Sequence, residues 1–211
     1  MKISSRFLLV IFIAFAANSY AEITCSKPKL SNPLGHDTMY HFKAVVTCDI
    51  VGEKINVSAI KDAYLADITN PKSQFVVKKQ GAYDNKKGMT GYTLDVTQSY
   101  DSDQGHLVVR ADVLLMDNKT SNFEMELRSR SVVGQGDSQY NKSILNTVTL
   151  NYTPQKSTVT VVKEIDVEEP WYAPHQTFVD AVQKDLYESI FKAAPIQAKK
   201  IIGEKVDAMH K

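Results

Sequence analysis

The chain has 211 residues, with 25 Lys and Arg against 24 Asp and Glu, for a formal charge of +1. That balance excludes a nucleic-acid binder of the strongly basic kind, which needs a clustered cationic excess. Hydrophobic residues at 43% and charged residues at 23% exclude a disordered chain, nine Gly and seven Pro exclude collagen-like and low-complexity classes, and two Cys are too few for a disulfide-built miniprotein.

The chain opens like an export signal. Lys2 and Arg6 supply a positive start, Phe7 to Ala17 is an apolar run of 11 residues, and Asn18-Ser19-Tyr20-Ala21 is a small-x-small end. The run is well short of the roughly 20 residues that cross a bilayer, so a membrane anchor is disfavoured. No other apolar run has spanning length, so no integral span is expected in the mature chain. Cleavage after Ala21 removes Lys2 and Arg6, leaving 190 residues and moving the charge from +1 to −1. Nothing in that balance steers the protein to phosphate or to an anionic surface. Glu22-Ile23-Thr24 before Cys25 lacks the small apolar pattern of a lipidation site. In an oxidising compartment Cys25 and Cys48 are expected to form a disulfide. Its loop would be worth roughly 3 kcal/mol in the chain-entropy model. With no C-x-x-C and no basic cluster, a redox role is not indicated.

Residues 22–39 carry Pro28, Pro33 and Gly35 and read as an irregular segment tied down by the disulfide. In 40–50, Phe42, Ala44, Val46, Cys48 and Ile50 share one phase, the mark of a strand with one buried face. The period then changes. Val57, Ile60, Tyr64 and Ile68 form a helical stripe, with Asn56 or Ser58 as N-cap and Asn70-Pro71 as the stop. From residue 74 the two-residue period returns. It predicts strands over 74–80, 92–100, 107–115, 123–131, 144–152 and 158–167, separated by polar turns. Short polar links between alternating strands mean antiparallel hairpins, one face wet and one buried. Glu169 to Pro174 reads as an extended connector. Phe178, Val182, Leu186 and Ile190 then recur at i+4 as a long helix, and Pro195 is expected to kink it or start a second one. Ile201, Ile202, Val206 and Met209 give a weaker stripe over a helical extension at 196–211.

The reading is thus α+β: a curved antiparallel sheet of about seven strands, a short helix after strand one, and a long C-terminal helix packed on the sheet. This order resembles the helix-grip fold of the START-like superfamily (Bet v 1-like, polyketide cyclase-like, SRPBCC) over residues 40–195. Two stretches carry the likeness. Residues 42–75 run strand, Gly52, the helix VSAIKDAYLADI, Asn70-Pro71 and Phe75. Residues 144–191 run a strand ending Thr153-Pro154, the strand STVTVVKEIDV, Pro170-Trp171 and the helix. The first helical insertion is shorter than the family's usual two helices, and the extension after Pro195 has no counterpart. The resemblance implies a cavity between sheet and long helix that holds a lipid or other apolar small molecule. Its lining would be Leu94, Val96, Leu107, Val109, Val113, Phe123, Met125, Leu127, Val148 and Leu150 on the sheet with Phe178, Val182 and Leu186 on the helix. The same residues would serve equally as a filled core. Gln98, Ser129, Asn146 and Lys163 intrude on the inward phase. They could satisfy one another, lie beyond the buried stretch, or orient a ligand head group.

Other chemistry is not signalled. The five histidines show no metal-ligand spacing, and there is no G-x-S-x-G and no phosphate loop, so no metal, cofactor or catalytic residue is expected. Asp101 to Gly105 opens like a calcium loop, but His106 stands in the sixth-position glycine's place, so a solvated turn is the better reading. Glu168 and Glu169 are adjacent on an extended segment and point to opposite faces. Four N-x-S/T triplets, at Asn56, Asn118, Asn141 and Asn151, are glycan acceptors only in a host with that machinery. Three functions follow: an exported binder of a hydrophobic molecule; a secreted interaction module with a solid core, working through Trp171, Tyr172 and the segment after Pro195; and, third, a cyclase-type enzyme.

Overall fold

The computed structural model describes residues 21–85, 88–102 and 105–203. Residues 1–20 of the export signal, and Val206 and Met209 of the tail stripe, lie outside the described residues.

Alternation along the chain becomes one antiparallel sheet. Its long strands are β4 (Met39–Val51), β5 (Phe75–Asn85), β6 (Met89–Ser102), β7 (Gly105–Asp117), β8 (Asn122–Gly134), β9 (Asn141–Asn151) and β10 (Ser157–Glu168). Strands β5 to β10 form a continuous meander, and β4 closes beside β10, from Ser157 opposite Ile50 to Glu168 opposite Met39. Helix α1 (Val57–Thr69) carries the chain from β4 across to β5 at the far edge. Helix α2 (His175–Ile201) packs on the inner face against β4 and β10. A meander closed by its first strand around a terminal helix is the helix-grip arrangement.

The segment before β4 is not irregular. It forms β1 (Glu22–Cys25), β2 (Lys29–Leu30) and β3 (Leu34–His36), all antiparallel to β4. The physical reason is the free edge of β4, whose N–H and C=O groups need partners. Pro28 and Pro33 cannot donate to a ladder, so the edge strand breaks into three pieces. Cys25 and Cys48 face each other in register and form a disulfide that staples this edge, with Cys48 fully buried.

The buried face of the sheet meets both helices. Phe42, Ala44, Val46 and Ile50 of β4, Leu94 and Val96 of β6, and Val113 and Leu115 of β7 are all buried. So are Val57, Ile60, Tyr64 and Ile68 of α1, as the helical stripe requires. Asn56 is the N-cap of α1, but its side chain does not cap the backbone; it accepts a hydrogen bond from the Ser58 hydroxyl at 2.8 Å instead. Gly91 permits a close approach of β6 to β7, since a Cβ there would fall 1.7 Å from the Leu115 carbonyl oxygen.

Pro195 does not start a second helix; α2 continues through it to Ile201. Packing explains it. Ala194, Ala198 and Ile201 are buried on either side of the proline, and that burial holds the last turns in place. The connector before α2 is a turn rather than extended, with the Ala173 N–H donating to the Pro170 carbonyl at 3.1 Å. Among the described residues no helix is long and apolar enough to cross a membrane.

Candidate ligand cavity

Between the inner face of the sheet and α2 the side chains do not meet everywhere. Two hollows remain. The larger, about 790 Å³, lies under the C-terminal half of α2. Its floor is Val113, Met125, Leu127, Val148 and Val161, its roof Ile190 and Ala193, and its rim the end of α1 and residues 70–75. The smaller, about 590 Å³, lies under the N-terminal half of α2, between Ile144, Ile165 and Val167 on one side and Phe178, Val182 and Leu186 on the other. Lys163 and Ser189 line both, so the two hollows meet at that pair.

The sheet's register sets this up. Asn146 of β9 stands between Leu127 of β8 and Lys163 of β10, and all three project onto the inner face. The Lys163 Nζ reaches α2 and donates to the Ser189 Oγ at 2.8 Å. Burial pushes the Lys163 ammonium below the ordinary lysine range, opposed by attraction to Asp185.

A polar belt borders the larger hollow. The Tyr100 hydroxyl donates to Gln98 Oε1, and Gln98 Nε2 donates to Gln74 Oε1 at 3.4 Å. Burial pushes the Tyr100 phenol up to about 12, although its hydrogen bond with Gln98 works the other way. The Tyr64 hydroxyl donates to Gln197 Oε1 at 2.6 Å, and Lys200 sits 4.0 Å from the centre of the Tyr64 ring and 2.5 Å from Asp67. These contacts tie the end of α1 to α2. Burial, helped by Asp67, pushes the Tyr64 phenol well above its usual range.

The structure sorts the inward residues. Leu107, Val113, Met125, Leu127, Val148, Phe178, Val182 and Leu186 line one or other hollow. Leu94, Val96, Val109, Phe123 and Leu150 share the same phase but are packed in closed core and line neither. Of the polar intruders, Gln98, Asn146 and Lys163 border the larger hollow. Ser129 lies outside both: its Oγ accepts from the Ile144 N–H at 2.8 Å, just where the β8–β9 ladder ends at Arg128 and Leu145. It completes a ladder and has no need of a ligand.

Several lining residues carried no functional signal in the sequence. Tyr64 lay in the α1 stripe and Tyr100 on the inward phase of β6, both indistinguishable from core. Ser189, Gln197 and Lys200 lie on a helix whose apolar positions alone were informative. Among the described residues no group of three or more His, Cys, Asp or Glu side chains is placed to hold a metal ion.

No family model matches the chain, and no curated protein matches it. Solved structures similar to it include truncated norcoclaurine synthase from Thalictrum flavum, at 13% identity and a TM-score of 0.41, covering 84% of this chain and 100% of that one. The Zhui aromatase/cyclase from a Streptomyces species aligns at 10% identity and a TM-score of 0.35, over 78% of this chain and 92% of that one. Ara h 8.0201 aligns at 14% identity and a TM-score of 0.32, over 78% and 96%. The helix-grip assignment rests on the strand order and helix packing of this chain itself.

Proposed function

We propose that the protein is exported and binds a hydrophobic small molecule or lipid between the sheet and α2. The observation that carries this reading is the hollow of about 790 Å³ between the sheet and α2, which joins a second of about 590 Å³ at Lys163 and Ser189. Apolar wall left uncovered over that volume forfeits packing contacts that a body built only for stability would make. The walls suit the role: an apolar floor and roof, where a chain can lie, stand beneath a polar rim that can hold a head group. The apolar contacts in this reading are Leu107, Val113, Met125, Leu127, Val148, Phe178, Val182 and Leu186; the polar ones are Gln98, Asn146 and Lys163. Export is supported by residues 1–21 and by the Cys25–Cys48 disulfide, a bond that persists in oxidising compartments.

Native mass spectrometry of the protein purified from its own host tests both parts. The expected spectrum shows a chain beginning at Glu22 with an added lipid-sized mass. A population running wholly at the bare chain mass counts against the binding role, and one that retains Met1 to Ala21 counts against export. A second reading, a surface-acting interaction module, is favoured by one observation: Trp171 is 91% exposed beside the half-exposed Tyr172. In that case Trp171→Ala would abolish partner capture and leave ligand content unchanged.

A further inference from the structure

The two hollows differ in the sign of their charge. The larger is bordered by Lys72, Lys163 and Lys200 against one carboxylate, Asp67. The smaller has the shared Lys163 against Asp137 and Asp185. The hydrogen-bond partner of the Lys163 ammonium is the Ser189 hydroxyl, a neutral acceptor, and Asp185 attracts it from the side of the smaller hollow. An ammonium held against an apolar wall interacts with a counter-charge far more strongly than one in water. The Asn146 side chain lies next to it in register, on the larger hollow's side, and its amide can donate to an oxyanion. Val113, Met125, Leu127 and Val148 continue from that point as an apolar surface.

From the meeting of Lys163, Asn146 and Ser189 at the apolar floor of the larger hollow, we infer that its ligand is a single-chain anionic amphiphile, with a carboxylate head at Lys163 and the chain along Val113, Met125, Leu127 and Val148. This rests on the binding reading above and adds the chemical class of the ligand. The acidic border of the smaller hollow turns the head group toward the larger one. Lys163 acts as a selector: it adds a charge-assisted hydrogen bond for an acid and leaves the corresponding alcohol with a half-buried ammonium that has gained no counter-charge.

The test is displacement of Nile red, a neutral dye, by dodecanoate and by dodecan-1-ol, which share a chain and differ in the head. Wild-type protein should release the dye to dodecanoate at a concentration roughly tenfold or more below that needed with dodecan-1-ol. Lys163→Met, which keeps the bulk and removes the charge, should lose that preference when each displacement curve is referred to the variant's own Nile red affinity. Lys163→Gln serves the same purpose should the thioether disturb packing. Asp185→Asn should keep the preference or enlarge it. Equal potency of the two displacers on wild-type protein, or a preference that survives Lys163→Met and Lys163→Gln, overturns the inference while leaving the cavity in use. Failure of wild-type protein to bind Nile red or either displacer removes the binding reading itself, a separate outcome.

Discussion

Val109 and Val182 were both legible as inward-facing, yet the structure gives them opposite surroundings, and a tryptophan at each separates a packed core from a usable hollow. Val109 on β7 is 2% exposed and lines neither hollow. An indole there has no space to enter, so neighbouring side chains must leave their rotamers and the backbone must shift. Overpacking of this kind costs about 1–3 kcal/mol, and the indole is large enough to put Val109→Trp at the upper end. For a chain of this size about 3 kcal/mol lowers the melting temperature by roughly 6–12 °C. Val182 on α2 is half-buried and borders a hollow of about 590 Å³, so Val182→Trp places the ring in space that exists and should cost under about 1 kcal/mol. The assay is urea unfolding followed by circular dichroism, under oxidising conditions so that the Cys25–Cys48 bond is constant. The pair of midpoints is diagnostic. Equal large losses at both positions would mean that the hollow is closed in solution, and the binding reading would fall with it.

Three further outcomes follow from particular contacts. Reduction with dithiothreitol, or Cys25→Ala with Cys48→Ala, should lower the unfolding free energy by about 3 kcal/mol, the loop-entropy value for a closure spanning a sequence separation of 23; an unchanged urea midpoint would show that the bridge does not constrain the unfolded chain. Ser129→Ala should cost about 1 kcal/mol by leaving the Ile144 N–H without its acceptor, and should leave Nile red binding unaltered; altered dye affinity would place Ser129 in the ligand's path. Tyr64 and Tyr100 have folded-state pKa values raised above the ordinary 10, the latter to about 12. Their neutral forms therefore contribute stability that is complete below pH 10 and is lost as pH rises through the folded values. Phenolate absorbance should show late-ionising tyrosines, one fewer in each of Tyr64→Phe and Tyr100→Phe; an unchanged curve in either variant would contradict the raised value at that residue.

Local pattern carried much of the architecture. Side-chain period distinguishes strand from helix because it follows from backbone geometry alone, and it placed all seven long strands and both helices, although β5 runs five residues past its expected end and α2 continues through Pro195. The short edge pieces β1, β2 and β3 were not legible, because runs of two to four residues are too brief to show a period and their pairing is dictated by the open side of β4. That the helix continues past Pro195 was not legible for a related reason. A proline's cost is local, whereas the burial of Ala194, Ala198 and Ile201 that offsets it is tertiary.

The sequence by itself determined which residues turn inward, which cysteines could meet, and that polar groups would stand among apolar ones on the inner face. Only the tertiary structure decided which of those inward residues border empty space and which are packed solid. Phase is a property of one strand, while a hollow is a property of the distance between a curved sheet and the helix laid across it. The tertiary structure likewise separated Ser129, whose hydroxyl finishes a backbone ladder, from Lys163, whose ammonium stands where two hollows meet. In the sequence both were polar residues out of place; their partners lie 15 and 26 residues away along the chain and come together only when the sheet folds around α2.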